Sequence, residues 1–281
     1  MTTKAAAAVL VLAALPAAAE VRYATFPSPA LGQEVAYAVQ LPPSYGNAAT
    51  RRYPVVYALH GLFEGPGFWE RRGLTSFLES LWQKGELPEM VVVAVDGDNS
   101  FFMDGPAGRW ETMVTRDLVS HVESTYRVTP GHKGRVALGV SMGGYAALRM
   151  GLAHPDLFRA VAAHSAMLLE KVPTADEGAR RGQMAAFHKV FGDPIDAALW
   201  AANDPLALAL KADPKKAPAM YFDCGSVDRY GLFAGNRELH RRLEARGVAH
   251  EFALYPGDHG YEYVRSVLDK SLRFIGRQFA Y

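Results

Sequence analysis

The sequence predicts an α/β domain with a mainly parallel central sheet and helices on both faces. Three observations predict it: short continuous apolar runs such as Tyr53 to Leu59 (YPVVYAL) and Met90 to Val95 (MVVVAV), segments of helical period between such runs, and an alternation of the two kinds along the chain. An apolar run without polar alternation suits a strand buried on both faces. Strands that alternate with helices build a parallel sheet.

Before that pattern begins, Met1 to Glu20 reads MTTKAAAAVLVLAALPAAAE. Lys4 supplies a positive start, Ala5 to Leu15 an apolar core, and Ala17-Ala18-Ala19 a small-residue cleavage site, so residues 1–19 are expected to be a removable signal peptide and the product to be exported, periplasmic or secreted. The apolar stretch is shorter than the ~20 residues a spanning helix needs, and no cysteine near it offers a lipid anchor, so no stable membrane anchor is expected. Lysine plus arginine number 30 against 29 for aspartate plus glutamate, a balance that offers nucleic acid no attractive field. Cys224 is the only cysteine, which excludes an intramolecular disulfide and reads as a small buried hydrophobe. No internal repeat, low-complexity tract or linker divides residues 20–281, which are expected to form one domain.

In chain order, Glu34 to Leu41 (EVAYAVQL) alternates around Val35, Tyr37 and Val39 and stops at Pro42-Pro43, as an early antiparallel strand would. Tyr53 to Leu59 delivers His60-Gly61-Leu62-Phe63 to a strand's carboxyl end. Leu74 to Lys84 has helical spacing at Leu74, Phe77, Leu78 and Leu81, with Gly85 to close it. After Met90 to Val95, a loop over 96–110 is rich in glycine, aspartate and aromatics and sits where ligands collect in such sheets. Glu111 to Tyr126 reads as helix, Val136 to Leu138 as strand, and the residues after Ser141 as a helix turning Ala146, Ala147 and Met150 to the sheet. Arg159 to His164 is another strand. The stretch 165–218 mixes proline, glycine and charge, with weak helical period around Phe187 to Leu210, and is read as an insertion over the sheet. Ala219 to Asp223 and Glu251 to Tyr255 are the last strands, Leu232 to Arg246 and Tyr261 to Phe279 the last helices.

The stretch Gly139-Val140-Ser141-Met142-Gly143 joins a predicted strand to a predicted helix. In that context Gly-x-Ser-x-Gly is a nucleophile elbow, a sharp turn that lifts a serine hydroxyl above the sheet. Ser141 is the candidate nucleophile. A serine needs a base, and a histidine oriented by a carboxylate serves near neutral pH. Asp228 and His259 lie on loops after the last two strands and follow the serine in the order acid, then histidine. His164 is the nearest rival histidine, but it precedes the acid. Asp223 and Asp258 are the alternative acids. The backbone N–H groups of Leu62 and Met142 are the candidate oxyanion donors, although His60-Gly61 could also be a tight turn with a structural histidine. Phe63, Trp69, Trp110 and Tyr261, with Phe101 and Phe102, could line a substrate pocket or simply pack. Neither an H-E-x-x-H pattern nor a Gly-rich phosphate loop occurs, so no metal and no cofactor are expected.

Tyr53 to Phe63 (YPVVYALHGLF), Arg116 to Ala147 (RDLVSHVESTYRV through GVSMGGYAA), Asp223 to Asp228 (DCGSVD) and His259 to Tyr263 (HGYEY) together resemble the Putative esterase family of α/β-hydrolases. That family includes S-formylglutathione hydrolases, feruloyl esterase domains and secreted mycolyltransferases. The resemblance implies the α/β-hydrolase fold, serine esterase activity on a small-molecule or glycan-linked ester, a triad at Ser141, Asp228 and His259, and oxyanion amides at Leu62 and Met142. It equally permits transfer of the acyl group to a sugar or lipid hydroxyl. Members commonly carry tryptophan two residues after the histidine, where this chain has Tyr261, so the edge of the acyl pocket is expected to differ.

Overall fold

Period-two burial on both faces organises the sheet. Val55, Tyr57 and Leu59 belong to one hydrophobic cluster and Val56 and Ala58 to another; Val91, Val93 and Val95 divide from Val92 and Ala94 in the same way. A computed structural model describes residues 19–173 and 181–279; the expected signal peptide falls, except for Ala19, outside them. The strands are β1 (Glu20–Ser28), β2 (Gln33–Leu41), β3 (Val55–Leu59), β4 (Val91–Val95), β5 (Arg135–Val140), β6 (Ala160–His164), β7 (Ala219–Gly225) and β8 (His250–Tyr255). They form one sheet in the order β1-β2-β4-β3-β5-β6-β7-β8. β2 runs antiparallel to β1 and β4, and every later pairing is parallel. This is the α/β-hydrolase fold.

One face is covered by the helical stretch 110–125 and by helices Met142–Ala153 and Leu232–Ala245, the other by Leu74–Gln83 and Tyr261–Phe279. Two elements depart from the expected pattern. β1 has no counterpart among the predicted strands, because only Phe26 and Ser28 of its nine residues are buried, and an edge strand that meets water over most of its length shows no alternation. The predicted helix over 111–126 contains a π-helical turn at Met113–Leu118, which shifts its apolar face by part of a turn. Within 165–218, the described residues hold helices Arg181–Phe191, Ala197–Asn203 and Pro205–Ala209. Phe187 and Phe191 pack on Phe101 with ring centroids 5.2 and 6.0 Å away, and Trp200 packs on Phe191 at 4.7 Å.

The helix that follows Ser141 is anchored at its far end by charge. Glu111 pairs with Arg149 at 2.5 Å and with His154 at 2.6 Å, and Arg149 Nε donates to Asn203 Oδ1 at 2.8 Å. Burial alone would raise the Glu111 carboxyl, but hydrogen bonds from His154 and Arg149 outweigh it and hold the group down at about 2. A folded-state value below the ordinary 4.5 means that the stabilisation is complete above that pH and is lost as pH falls through the folded value. Glu111→Gln strands Arg149 in the interior and should cost about 3 kcal/mol near neutral pH. Thermal melts from pH about 5 to about 2 should show the wild type losing stability more steeply than the variant; parallel curves would remove Glu111 from that role.

Candidate active site

β5 ends at Val140 and the next helix begins at Met142, so Ser141 must make the turn alone, and it does so at φ 55°, ψ −113°. A residue with a Cβ pays about 1–3 kcal/mol there, and the surroundings enforce it. Ser141 N donates to His164 O at 2.9 Å, while Ser141 O accepts from Tyr145 N at 2.9 Å and Met167 N at 3.0 Å. The flanking glycines are demanded by contact with backbone. A Cβ on Gly139 would stand 2.0 Å from Gly143 O, and one on Gly143 would stand 2.0 Å from Leu59 O.

Asp228 follows β7 and His259 follows β8, neighbouring parallel strands, so their loops emerge side by side. His259 Nδ1 lies 2.8 Å from Asp228 Oδ2. A carboxylate only accepts, so Nδ1 carries the proton and Nε2 is left with its lone pair. Asp228 is enclosed while the His259 side chain keeps 15% of its surface. The second carboxylate oxygen accepts from Tyr230 N at 2.9 Å, which fixes its rotamer, and the Tyr230 ring meets the imidazole edge-on at 4.8 Å. Asp258, the alternative acid adjoining the histidine, is turned to the backbone: its Oδ1 accepts from Arg229 N at 2.7 Å and His259 N at 2.6 Å, and it pairs with the Arg229 guanidinium, which with those amides holds its carboxyl at about 2. It braces the loop.

The loop after β3 is held by a buried histidine. His60 Nε2 accepts from Gly97 N at 2.9 Å, so its Nδ1 is the protonated nitrogen and donates to Gly61 O at 2.7 Å. Both readings of His60-Gly61 therefore meet in one loop: a structural histidine clamps the segment that presents Leu62. Gly61 lies against the nucleophile: a Cβ on it would be in ordinary contact with Ser141 Cβ at 3.5 Å. Met142 opens its helix, so its amide has no intrahelical acceptor. Ser141, His259, Leu62, Phe63, Met167, Tyr230 and Tyr261 are among the walls of a pocket of about 160 Å³.

Phe63 and Tyr261 thus line the pocket, whereas Trp69 and Trp110 lie elsewhere. Trp69 is buried with its indole N–H on Gln40 Oε1 at 3.0 Å, and Trp110 donates to Ala107 O at 2.9 Å. An indole whose N–H finds a partner inside the protein is core. Phe101 and Phe102 are fully buried as well. The rival His164 is fully buried in another network, with Nδ1 at 2.9 Å from Asp223 Oδ2 and Nε2 at 2.8 Å from Ser271 Oγ; Asp223 also accepts from the Tyr221 and Tyr263 hydroxyls, each at 2.7 Å. Sequence reasoning missed Met167 and Tyr230. No linear signal marks Met167; Tyr230, two residues after the acid, stood one turn from a candidate and could have been weighed. Among the described residues no group of three or more His, Cys, Asp or Glu could hold a metal ion, and no helix is long and apolar enough to cross a membrane.

The family described as Putative esterase matches residues 28–275. Among curated proteins the chain is similar to Esterase Rv1288 of Mycobacterium tuberculosis (strain ATCC 25618 / H37Rv), 28% identical over 258 residues that cover 84% of this chain and 55% of the relative. It is also similar to Diacylglycerol acyltransferase/mycolyltransferase Ag85A of Mycobacterium leprae (strain TN), 32% identical over 206 residues that cover 66% of this chain and 56% of the relative. The chain thus spans little more than half the length of these relatives. Among solved structures, a ferulic acid esterase superposes with TM-score 0.80 at 29% identity, covering 93% of this chain and 99% of that one. An S-formylglutathione hydrolase from Agrobacterium tumefaciens shares the fold with TM-score 0.74 at 18% identity, covering 94% and 96%.

Proposed function

The chain belongs to the Putative esterase family, and from that premise we propose that it is an exported serine carboxylic-ester hydrolase working through an acyl-enzyme on Ser141. The observation that carries the reading is a strained Ser141 in the wall of a pocket it shares with a histidine whose far nitrogen is tied to a buried carboxylate. Ser141 Oγ attacks the ester carbonyl as His259 Nε2 takes its proton, and Asp228 keeps the imidazole in the required tautomer and supports its charge. The Leu62 and Met142 amides receive the oxyanion. Collapse expels the alcohol with the proton returned by His259, and water, activated by the same nitrogen, releases the acid and restores Ser141. Export rests on the composition of residues 1–19.

A pocket of about 160 Å³ is small beside the ~300 Å³ and more of ordinary small-molecule sites. Its apolar walls favour a short acyl group or a flat aryl group over a long lipid chain, and the similarity to a ferulic acid esterase supports the aryl option. No nucleic acid or membrane anchor enters the proposal. A second reading, transfer to a sugar or lipid hydroxyl, is favoured by the similarity to a diacylglycerol acyltransferase/mycolyltransferase. Incubation of a nitrophenyl acetate or an aryl ester such as a ferulate with excess glycerol or glucose decides between them. Free acid is the expected main product. Transfer product in excess of free acid would replace the hydrolase reading with the transferase.

A further inference from the structure

Cys224 is the penultimate residue of β7 and is fully buried. A tight turn closed by Asp228 N on Gly225 O at 3.2 Å brings the residue four positions later back over it. The Cys224 sulfur lies 3.6 Å from Asp228 Oδ2, the same oxygen that holds His259 Nδ1 at 2.8 Å. Burial, and then the charge of Asp228, push the thiol well above its ordinary range, so it stays protonated and faces the carboxylate as a donor. The buried Ser165 hydroxyl stands beside the sulfur, and its hydrogen bond to the thiol works in the opposite direction but is outweighed by burial and Asp228.

We propose that Cys224 is a positioning residue for the catalytic pair: its S–H bond to Asp228 Oδ2 draws part of the charge that supports the His259 imidazolium, and so sets the basicity of the histidine. The inference rests on the triad reading above. S–H is a weak donor. It satisfies a lone pair on a buried carboxylate while leaving most of the negative charge to His259, whereas a full-strength donor at that place would compete with the imidazole for the same oxygen. The remaining titratable groups near the pair are Asp258 beside His259 with Arg229 beside Asp228, Tyr230 beside the ring, Glu64 and Tyr261 in the pocket wall, and Asp223 next to Cys224 within β7. All of them are unchanged by a substitution at Cys224.

The test is the pH dependence of kcat/KM on a nitrophenyl ester, whose acid limb reports the histidine of the free enzyme. Without the donor, the carboxylate keeps more charge and the imidazolium is better supported, so the acid limb of Cys224→Ala should move up by about half a unit. Cys224→Ser restores a donor, and its limb should lie at or below that of the wild type. A residue that only fills space would lower activity in both variants and leave the limb in place. An unmoved limb in Cys224→Ala, or a limb that moves upward in both variants, overturns the proposal. If Cys224→Ala does not fold, an upward shift in Cys224→Ser alone overturns it and a limb at or below wild type supports it. Turnover that survived in Ser141→Ala would bring down the triad itself, so the two failures are distinguishable.

Discussion

Ser141→Ala is expected to lower kcat on every ester tested by about a hundred-thousand-fold, with the fold intact. The magnitude follows from the arrangement. On the proposed mechanism no covalent intermediate forms without the hydroxyl, and the Leu62 and Met142 amides and the binding pocket would retain only the residual catalysis of oriented donors. Stability should hardly change, because alanine keeps the Cβ that makes φ 55° costly. Ser141→Gly separates the two effects. It is equally inactive but relieves the strain, and should unfold at a midpoint higher by about 1 kcal/mol of stability. An organophosphonate probe should add its mass to Ser141 of the wild type and to neither variant. Ester turnover within tenfold of wild type in Ser141→Ala would sink the mechanism, and labelling of the variant would show that another side chain reacts.

What the sequence disclosed and what it hid have the same physical origin. Doubly buried strands such as Val55–Leu59 are legible because both faces demand apolar residues, and Gly139 and Gly143 are legible because backbone contacts forbid a Cβ. Asp228 and His259 stand out because each closely follows a strand end. β1 was hidden because water meets most of it. For Trp69 and Trp110 the choice between pocket wall and packing stayed open in sequence, because an aromatic near a strand-end loop looks the same whichever way it turns; the acceptors that draw them inward, Gln40 and Ala107, are fixed only by the fold. Cys224 was read as a buried hydrophobe, and it is buried, but the tight turn that sets its sulfur against Asp228 leaves no mark in composition or period. Chemistry carried by side chains at strand ends could be read; chemistry that depends on the path of a loop could not.

The same contact logic makes Gly143 a sensitive position for folding. An alanine Cβ there would stand 2.0 Å from Leu59 O, 2.4 Å from Leu59 C and 2.8 Å from His60 O. All three are main-chain atoms, so no rotamer change relieves the overlap. Either the helix Met142–Ala153 lifts from β3, opening the packing of Tyr145, Ala146 and Met150, or the end of β3 moves and carries the Leu62 loop with it. The cost should exceed about 3 kcal/mol, beyond the usual range of core overpacking because backbone must yield. Gly144→Ala is the graded comparison: its nearest atoms are Ala166 Cα at 3.0 Å and Cβ at 3.2 Å, and a loss of about 1 kcal/mol is expected. Gly46→Ala, with nothing within 4 Å, should be neutral. Urea unfolding midpoints and soluble yield should therefore rank Gly46→Ala, Gly144→Ala, Gly143→Ala in falling order. A Gly143→Ala protein with the midpoint of the wild type would mean that the elbow does not lie against β3, and the placement of Leu62 beside Ser141 would fall with it.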